Sequence, residues 1–144
     1  MSVATLRWLG LLVLAIWTAS LFLPVFTACR PGYDHVQGWV LLLMGWLGVM
    51  AFMPAWFANP FILAAGVLLV LKKRAPVWLG ALAAIFAATT WWWKNWYDDT
   101  GSVPICHYHA GYWVWIASAL AAFLGVSLAN AGGRQREISS SASL

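Results

Sequence analysis

The stretch YWVWIASALAAFLGVSLANA, which runs from Tyr112 to Ala131, contains no charged residue and no histidine. An α-helix rises about 1.5 Å per residue, so about 20 apolar residues are needed to cross the hydrocarbon core of a bilayer. These residues therefore predict a transmembrane helix, and we interpret the rest of the chain as part of the same integral membrane protein.

The composition of the whole chain agrees with a membrane protein. Of its 144 residues, 63% are hydrophobic and 16% aromatic, with 12 Trp, and only 8% are charged. A soluble domain has about 25% charged residues. These values exclude an ordinary soluble domain, a disordered chain and a nucleic-acid-binding protein. The net charge of +4 comes from basic residues at the ends of apolar segments, where it indicates topology.

Four further apolar segments precede this helix, and polar breaks separate them. They are Leu6 to Thr27, Trp39 to Phe57, Phe61 to Leu71 and Val77 to Trp93. Together with the last segment they predict a single transmembrane domain over residues 1–131. The remaining residues, 132–144, are rich in Gly, Ser and charge, so we expect them to form a disordered cytoplasmic tail.

The positive-inside rule restricts the number of crossings. Four crossings with both termini inside leave Arg30 and Lys94 outside. The other six basic residues are then inside, namely Arg7, Lys72, Lys73, Arg74, Arg134 and Arg136. Five crossings with the N-terminus outside give the same ratio, because Arg7 and Arg30 exchange sides. Five crossings with the N-terminus inside place most basic residues outside and are disfavoured.

Features of the second segment favour four crossings. Gly45, Gly48 and Pro54 interrupt it, which is typical of a segment whose freed backbone groups are buried against protein. We therefore predict an all-α polytopic transmembrane helix bundle with four crossings plus a re-entrant or interfacial apolar segment. The alternative is five crossings with the N-terminus outside.

The four-crossing topology brings both cysteines to the extracytoplasmic side. Cys29 and Cys106 are then expected to form one structural disulfide in an oxidising compartment. Either five-crossing topology would place them on opposite sides of the membrane. Two alternatives remain open, namely thiol–disulfide exchange with a quinone or a protein partner, and lipidation of Cys29.

The same outer loops contain all three histidines. His35, His107 and His109, together with Asp34 and Cys106, are candidate ligands for zinc or copper. Solvated histidines in a loop explain the same pattern, so the sequence predicts no metal, no cofactor and no catalytic residue. No ionisable residue interrupts the interior of a predicted crossing, which disfavours a pump or secondary transporter.

Small residues recur every four positions along the last two predicted helices. They are Gly80, Ala84 and Ala88 on one helix, and Ala117, Ala121, Gly125 and Ala129 on the other. Small residues let membrane helices approach closely. We expect these two stripes to pack against each other within the chain, with an oligomer interface as the alternative.

A pattern near the second segment indicates a family resemblance. The pattern consists of Gly32-Tyr33, then Gly45-Trp46-Leu47-Gly48, then Trp56-Phe57-Ala58-Asn59-Pro60. In it the chain resembles small polytopic bacterial inner-membrane proteins of uncharacterised activity. The resemblance implies the same location and carries no activity, ligand or site. Without it, Asn59 is interpreted as a helix N-cap and Pro60 as the first helical residue.

These observations favour a non-enzymatic integral membrane protein that acts as an accessory or partner-binding subunit. Its expected partners are the lipid bilayer and another membrane protein, and no nucleic acid. We expect a multi-pass protein of the bacterial inner membrane with both termini in the cytoplasm. The alternatives are a thiol or metal redox protein working at the extracytoplasmic face, and an immunity protein against a pore-forming toxin.

Overall fold

The computed structural model describes residues 2–32, 35–47, 54–73, 75–98 and 101–141. Within these ranges the chain forms five α-helices and four β-strands. In chain order they are α1 (Val3–Leu21), β1 (Pro24–Ala28), β2 (Val36–Gln37), α2 (Gly38–Met44), α3 (Ala58–Val70), α4 (Val77–Ala88), β3 (Asn95–Asp98), β4 (Gly101–Tyr108) and α5 (Ala110–Ser141). Short 3-10 turns precede α3, at Pro54–Phe57, and follow α4, at Thr89–Trp92.

Helices α1, α3, α4 and α5 form a four-helix bundle. Both α1 and α4 pack against α3 and α5, and α3 also touches α5 across the centre. The fully buried residues along the centre are small or branched. They include Val13, Ile62, Ala65, Leu69, Ala83, Ala119, Ala122 and Val126. Small residues at these contacts let the helix backbones approach, which is how helices associate in a lipid environment.

Two glycines mark close contacts between helices of the four-helix bundle. A Cβ atom on Gly10 of α1 would lie 2.6 Å from the backbone nitrogen of Val70 in α3. A Cβ atom on Gly80 of α4 would lie 2.7 Å from the Cα atom of Phe123 in α5. Neither distance is possible for a real Cβ contact, so these crossings require glycine.

An antiparallel sheet covers the end of the bundle at which α1 ends and α5 begins. Its strand order is β2-β1-β4-β3. Phe26 of β1 is fully buried, with its ring centroid 5.4 Å from that of Trp93 and 5.5 Å from that of Trp96. In β4, the buried Val103 and the half-buried Ile105 alternate with exposed residues, as expected of a strand with one buried face.

The prediction of an all-α bundle with four crossings is wrong, and so is its five-crossing alternative. Among the described residues, two helical segments are long and apolar enough to cross a membrane, Ala4–Leu21 and Ala110–Gly132. Helix α3 has 13 residues and α4 has 12. Apolar composition does not determine where a helix ends, and the two polar segments between helices pair as strands instead of forming irregular loops.

The segment expected to be re-entrant is also different. Helix α2 has seven residues, and residues 48–53 lie outside the described part of the chain. The indole N–H of Trp56 donates to the backbone oxygen of Leu42 at 2.8 Å, and Gly45 lies against the Trp56 ring. The chain before α3 is therefore held against the end of α2.

The sequence predicts a disordered cytoplasmic tail over residues 132–144, and part of this segment is helical. Helix α5 continues to Ser141, and residues 142–144 lie outside the described ranges. Arg134, Gln135, Arg136 and Glu137 are all strong helix formers. A low content of apolar residues therefore does not end the helix at Gly132.

We expect Gly80→Ala to lower the free energy of unfolding by about 1 to 3 kcal/mol, because an added methyl group would force α4 away from the α5 backbone. Gly125→Ala is the matched control, since its Cβ atom would meet only the Leu69 side chain, at 3.2 Å. Thermal unfolding of the purified protein in detergent measures both. Equal midpoints for the two variants would contradict a backbone contact between α4 and α5.

Candidate functional site

The exposed face of the sheet carries the residues that the sequence singles out. Cys29, directly after β1, forms a disulfide with Cys106 of β4, and their Cα atoms are 5.2 Å apart. The predicted disulfide is thus present, and both cysteines are exposed. The backbone N–H of Cys29 also donates to the backbone oxygen of Pro104 at 2.8 Å. The bridge therefore secures the edge at which β1 leaves the sheet.

A register shift explains why Cys106 is exposed next to His107. Thr27 pairs with His107, whereas the next residue of β1, Ala28, pairs with Ile105. Cys106 therefore has no partner on β1, as in a β-bulge, and the strict alternation of side chains is broken at this position. Cys106 and His107 are therefore both exposed although they are neighbours in one strand.

The structure brings two of the three histidines together. The rings of His35 and His109 lie 5.4 Å apart in an edge-on arrangement. Nε2 of His109 lies 2.7 Å from the hydroxyl of Thr27, and the His109 backbone N–H donates to Val25 at 2.8 Å. His107 is on the same face, opposite Thr27.

This arrangement does not complete a metal centre in the described part of the chain. That part contains no cluster of three or more His, Cys, Asp or Glu residues able to hold a metal ion. Zinc sites use at least three protein ligands. Asp34, a further candidate member of the set, lies outside the described residues.

Beneath the sheet, two tyrosines attach it to the bundle. The Tyr108 hydroxyl donates to the backbone oxygen of Trp93, and burial, with the neighbouring Tyr112, raises the Tyr108 pKa. Thr90 donates its hydroxyl hydrogen to the backbone oxygen of Ala87 at 2.6 Å. The Tyr112 hydroxyl, 2.9 Å from that of Thr90, must therefore be the donor between them. These bonds join the start of α5 to the end of α4.

One amide joins three helices just below this layer. The side-chain oxygen of Asn59, in α3, accepts hydrogen bonds from the indole N–H groups of Trp17 in α1 and Trp115 in α5, each at 2.9 Å. The amide nitrogen of Asn59 donates to the backbone oxygen of Trp56 at 3.0 Å. Asn59 is buried, so this amide is a structural centre of the bundle.

The sequence analysis missed this role of Asn59. Helix α3 begins at Ala58 with Phe57 in the N-cap position, so Asn59 is not the N-cap and Pro60 is not the first helical residue. A usable signal was present, because a buried indole N–H needs an acceptor. Trp17 and Trp115 lie inside apolar segments that contain few side-chain oxygens.

The predicted helix-packing stripes occupy mixed environments. Gly80 packs against α5, but Gly125 packs against Leu69 of α3. Ala84, Ala121 and Ala129 are half-buried, whereas Ala88 and Ala117 are exposed. A strict spacing of four residues drifts around a helix that has 3.6 residues per turn. The buried small residues accordingly follow a mixed spacing of three and four, at Gly80, Ala83 and Ala87 on α4 and at Ala119, Ala122 and Gly125 on α5.

Comparison of the chain with protein-family models, with curated proteins and with solved structures found no match.

We expect Asn59→Ala to destabilise the protein by about 2 to 4 kcal/mol, because it leaves two buried indole N–H groups without an acceptor. Asn130→Ala is the control. The Asn130 amide is half-buried and donates to the backbone oxygens of Ala75 and Val126. Thermal unfolding in detergent compares the two variants. A smaller loss for Asn59→Ala than for Asn130→Ala would disprove the central role of this amide.

We expect mass mapping of protein alkylated during lysis to recover Cys29 joined to Cys106. Their separation of 77 residues corresponds to a stabilisation of about 4 to 5 kcal/mol as an upper estimate. A reductant should therefore lower the thermal midpoint of the wild type and leave that of a Cys29→Ser/Cys106→Ser variant unchanged. Recovery of both cysteines as alkylated thiols would contradict a stable bridge.

Proposed function

We propose that this chain is a non-enzymatic integral protein of the bacterial inner membrane, an accessory subunit that binds another membrane protein through α2. Both termini are cytoplasmic and the sheet is extracytoplasmic. The observation that carries the proposal is the exposed apolar surface of α2, which the chain itself does not bury.

The outer surface of the bundle supports membrane insertion. Large apolar side chains are exposed on all four of its helices, for example Leu12, Val67, Ile85 and Leu124. Soluble proteins rarely expose contiguous apolar surface of this kind. A hydrocarbon environment gives these side chains a favourable surrounding.

The exposed tryptophans occur at two levels, as expected of two membrane interfaces. Trp8 and Trp78 lie near the end of the bundle that contains the α3–α4 turn, whereas Trp91, Trp92 and Trp113 lie near the sheet. Trp78 and Trp91 are separated by about 20 Å of helix. The indole rings thus bracket the apolar surface of the bundle.

Two independent chemical signals support one orientation. Arg7 of α1 lies near Lys72, which follows α3, so basic residues gather at the end of the bundle opposite the sheet. Positive charge is retained on the cytoplasmic side. The disulfide lies on the sheet, and disulfides persist in oxidising extracytoplasmic compartments. Both signals favour an extracytoplasmic sheet.

The polar groups buried in the bundle support a non-enzymatic role. Ser20 donates to Trp17, and Ser118 donates to Trp115, in each case to a backbone oxygen within the same helix. The side chain of Asn59 is engaged by two indoles. These groups hold helices in position and present no paired acid and base to a substrate.

Helix α2 is the part of the fold best suited to bind a partner. Of its seven residues, Gly38 is buried, against the backbone of α1. Its large apolar side chains, and those just after it, are exposed, and they are Trp39, Leu43, Met44, Trp46 and Leu47. Tryptophan and methionine are enriched in protein interfaces. We assign this surface to a transmembrane helix of the partner.

Thiol–disulfide exchange at the outer face is a second candidate function, favoured by the exposure of the disulfide beside His107. The thiolate of an incoming dithiol protein would attack one sulfur, form a mixed disulfide and release the other cysteine as a thiolate. The second thiol of the incoming protein would then attack the mixed disulfide. The incoming protein would leave with a disulfide, and Cys29 and Cys106 would both be reduced. The alkylation experiment above tests this hypothesis, because exchange would leave a fraction of Cys29 and Cys106 reduced, and these would be recovered as alkylated thiols.

We expect one membrane protein to co-purify stoichiometrically with the wild type in mild detergent. The double variant Leu43→Ala/Trp46→Ala should reduce its yield at least about tenfold, because side chains at the centre of an interface each contribute more than about 1 kcal/mol. Ile85→Ala/Leu124→Ala is the matched control, with exposed apolar residues on α4 and α5. The absence of a stoichiometric partner, or equal loss in both variants, would disprove the assignment to α2.

A further inference from the structure

An open cleft lies at the end of the bundle opposite the sheet. Its volume is about 460 Å³, and it is lined by Ala4, Arg7, Trp8, Leu11 and Lys72. This volume is in the range of small-molecule sites. Just beyond it, Gly10 of α1 touches the α3 backbone near Val70. The cleft therefore lies beside the point at which α1 and α3 are in close contact.

The charge of this cleft is positive and is not balanced by nearby acids. Arg7 and Lys72 are exposed and come from two different helix ends. The sequence contains no Asp or Glu in residues 1–33 or 35–97, which include all of α1, α3 and α4. The acidic residue in α5 is Glu137, and two basic residues, Arg134 and Arg136, precede it. An anionic group would therefore find two cations here, and α1, α3 and α4 contain no carboxylate that would compete for them.

The backbone at Lys72 gives a second, independent observation. Lys72 has a φ of 58°, in the left-handed region, and it is a non-glycine residue with positive φ. Its N–H donates to Leu69, and that of Lys73 donates to Leu68, as in a helix C-terminal motif that usually has glycine at this position. A lysine here is conformationally unfavourable, and strained residues of this kind cluster at functional sites.

The walls of the cleft distinguish a lipid from a free anion. Ala4, Trp8 and Leu11 are apolar, and the exposed Ala15 continues the same face of α1 towards the sheet. Residues three or four positions apart lie on one face of a helix. This strip leads from the two cations along the apolar surface of the bundle, as an acyl chain leads away from its phosphate.

We propose that Arg7 and Lys72 bind the phosphate of an anionic phospholipid of the cytoplasmic leaflet, with one acyl chain along Trp8, Leu11 and Ala15. The proposal rests on the proposed orientation of the chain in the membrane. Basic pockets between helices on the cytoplasmic side are the type of site that binds anionic lipid headgroups. Such a lipid would join α1 to the end of α3.

The test uses the purified full-length chain, delipidated in mild detergent and titrated with phosphatidylglycerol while bound lipid is counted by native mass spectrometry. Arg7→Gln and Lys72→Gln should each weaken binding about fivefold, which corresponds to about 1 kcal/mol per basic side chain at an anionic lipid surface. Lys94→Gln, an exposed lysine at the sheet end, is the matched control and should not change binding. Equal losses in all three variants would show non-specific attraction and overturn the proposal.

Two further measurements make the result decisive. Lys72→Gly should raise the thermal midpoint of the lipid-free protein, because glycine tolerates positive φ, and yet weaken phosphatidylglycerol binding. Undiminished binding by this variant would overturn the proposal.

Phosphatidylcholine with the same acyl chains, and glycerol phosphate without them, should bind more weakly than phosphatidylglycerol. Equal binding of either compound would show that the site is not specific for an anionic lipid.

Failure of this proposal can be distinguished from failure of the proposed function. Lipid binding is measured on the isolated chain, so it does not depend on the protein that binds α2. An impermeant thiol reagent applied to intact cells that carry Ser2→Cys reports the orientation separately, and we expect no labelling. Labelling of Ser2→Cys would refute the cytoplasmic N-terminus, and with it the lipid leaflet named here.

Discussion

The side-chain oxygen of Asn59 is the point on which the arrangement of the helices depends. Two indole N–H groups, from Trp17 and Trp115, converge on it from two neighbouring helices, α1 and α5. A buried donor without an acceptor loses the hydrogen bond that it would make with water, so each tryptophan restricts where its helix can lie relative to α3. The three helices are thereby held in register one to two turns below the sheet. The strands that follow α1 and precede α5 then start at a common level, and can pair.

The common level of the strands explains why the sheet forms, although no local sequence pattern predicts it clearly. Strand β1 has five residues and β2 has two, too few to give a periodicity that stands out from a polar loop. Strand β4 does alternate, but Cys106 interrupts the alternation where the register shifts. The pairing of β1 with β4 joins residues about eighty positions apart, so it is a consequence of the helix bundle. The sequences of the loops alone do not predict this pairing.

The features that could be predicted from the sequence are those that depend on composition and on single residue types. The apolar segment of α5 follows from hydropathy, and the pairing of Cys29 with Cys106 follows from the chain having two cysteines, although the four-crossing topology that the sequence predicted for them is wrong. Helix length does not follow from them, because residues 8–27 contain no charged residue, although α1 stops at Leu21 and a strand begins at Pro24. The spatial arrangement of the histidines could not be predicted from the sequence either. One residue separates His107 from His109 in sequence, yet the fold brings His109 to His35.

The short helix α3 shows how the polar anchors at the two ends of the bundle are related. Its 13 residues extend about 20 Å, less than the hydrocarbon core of about 30 Å. At one end the amide of Asn59 is bound by two indoles, and at the other end Lys72 is exposed beside Arg7. The amide is enclosed by protein, whereas the long basic side chain at the other end is exposed. Helix α3 is therefore held beside α1 by the hydrogen bonds of Asn59 at its start and by the contact of Gly10 with Gly66 and Val70 near its end.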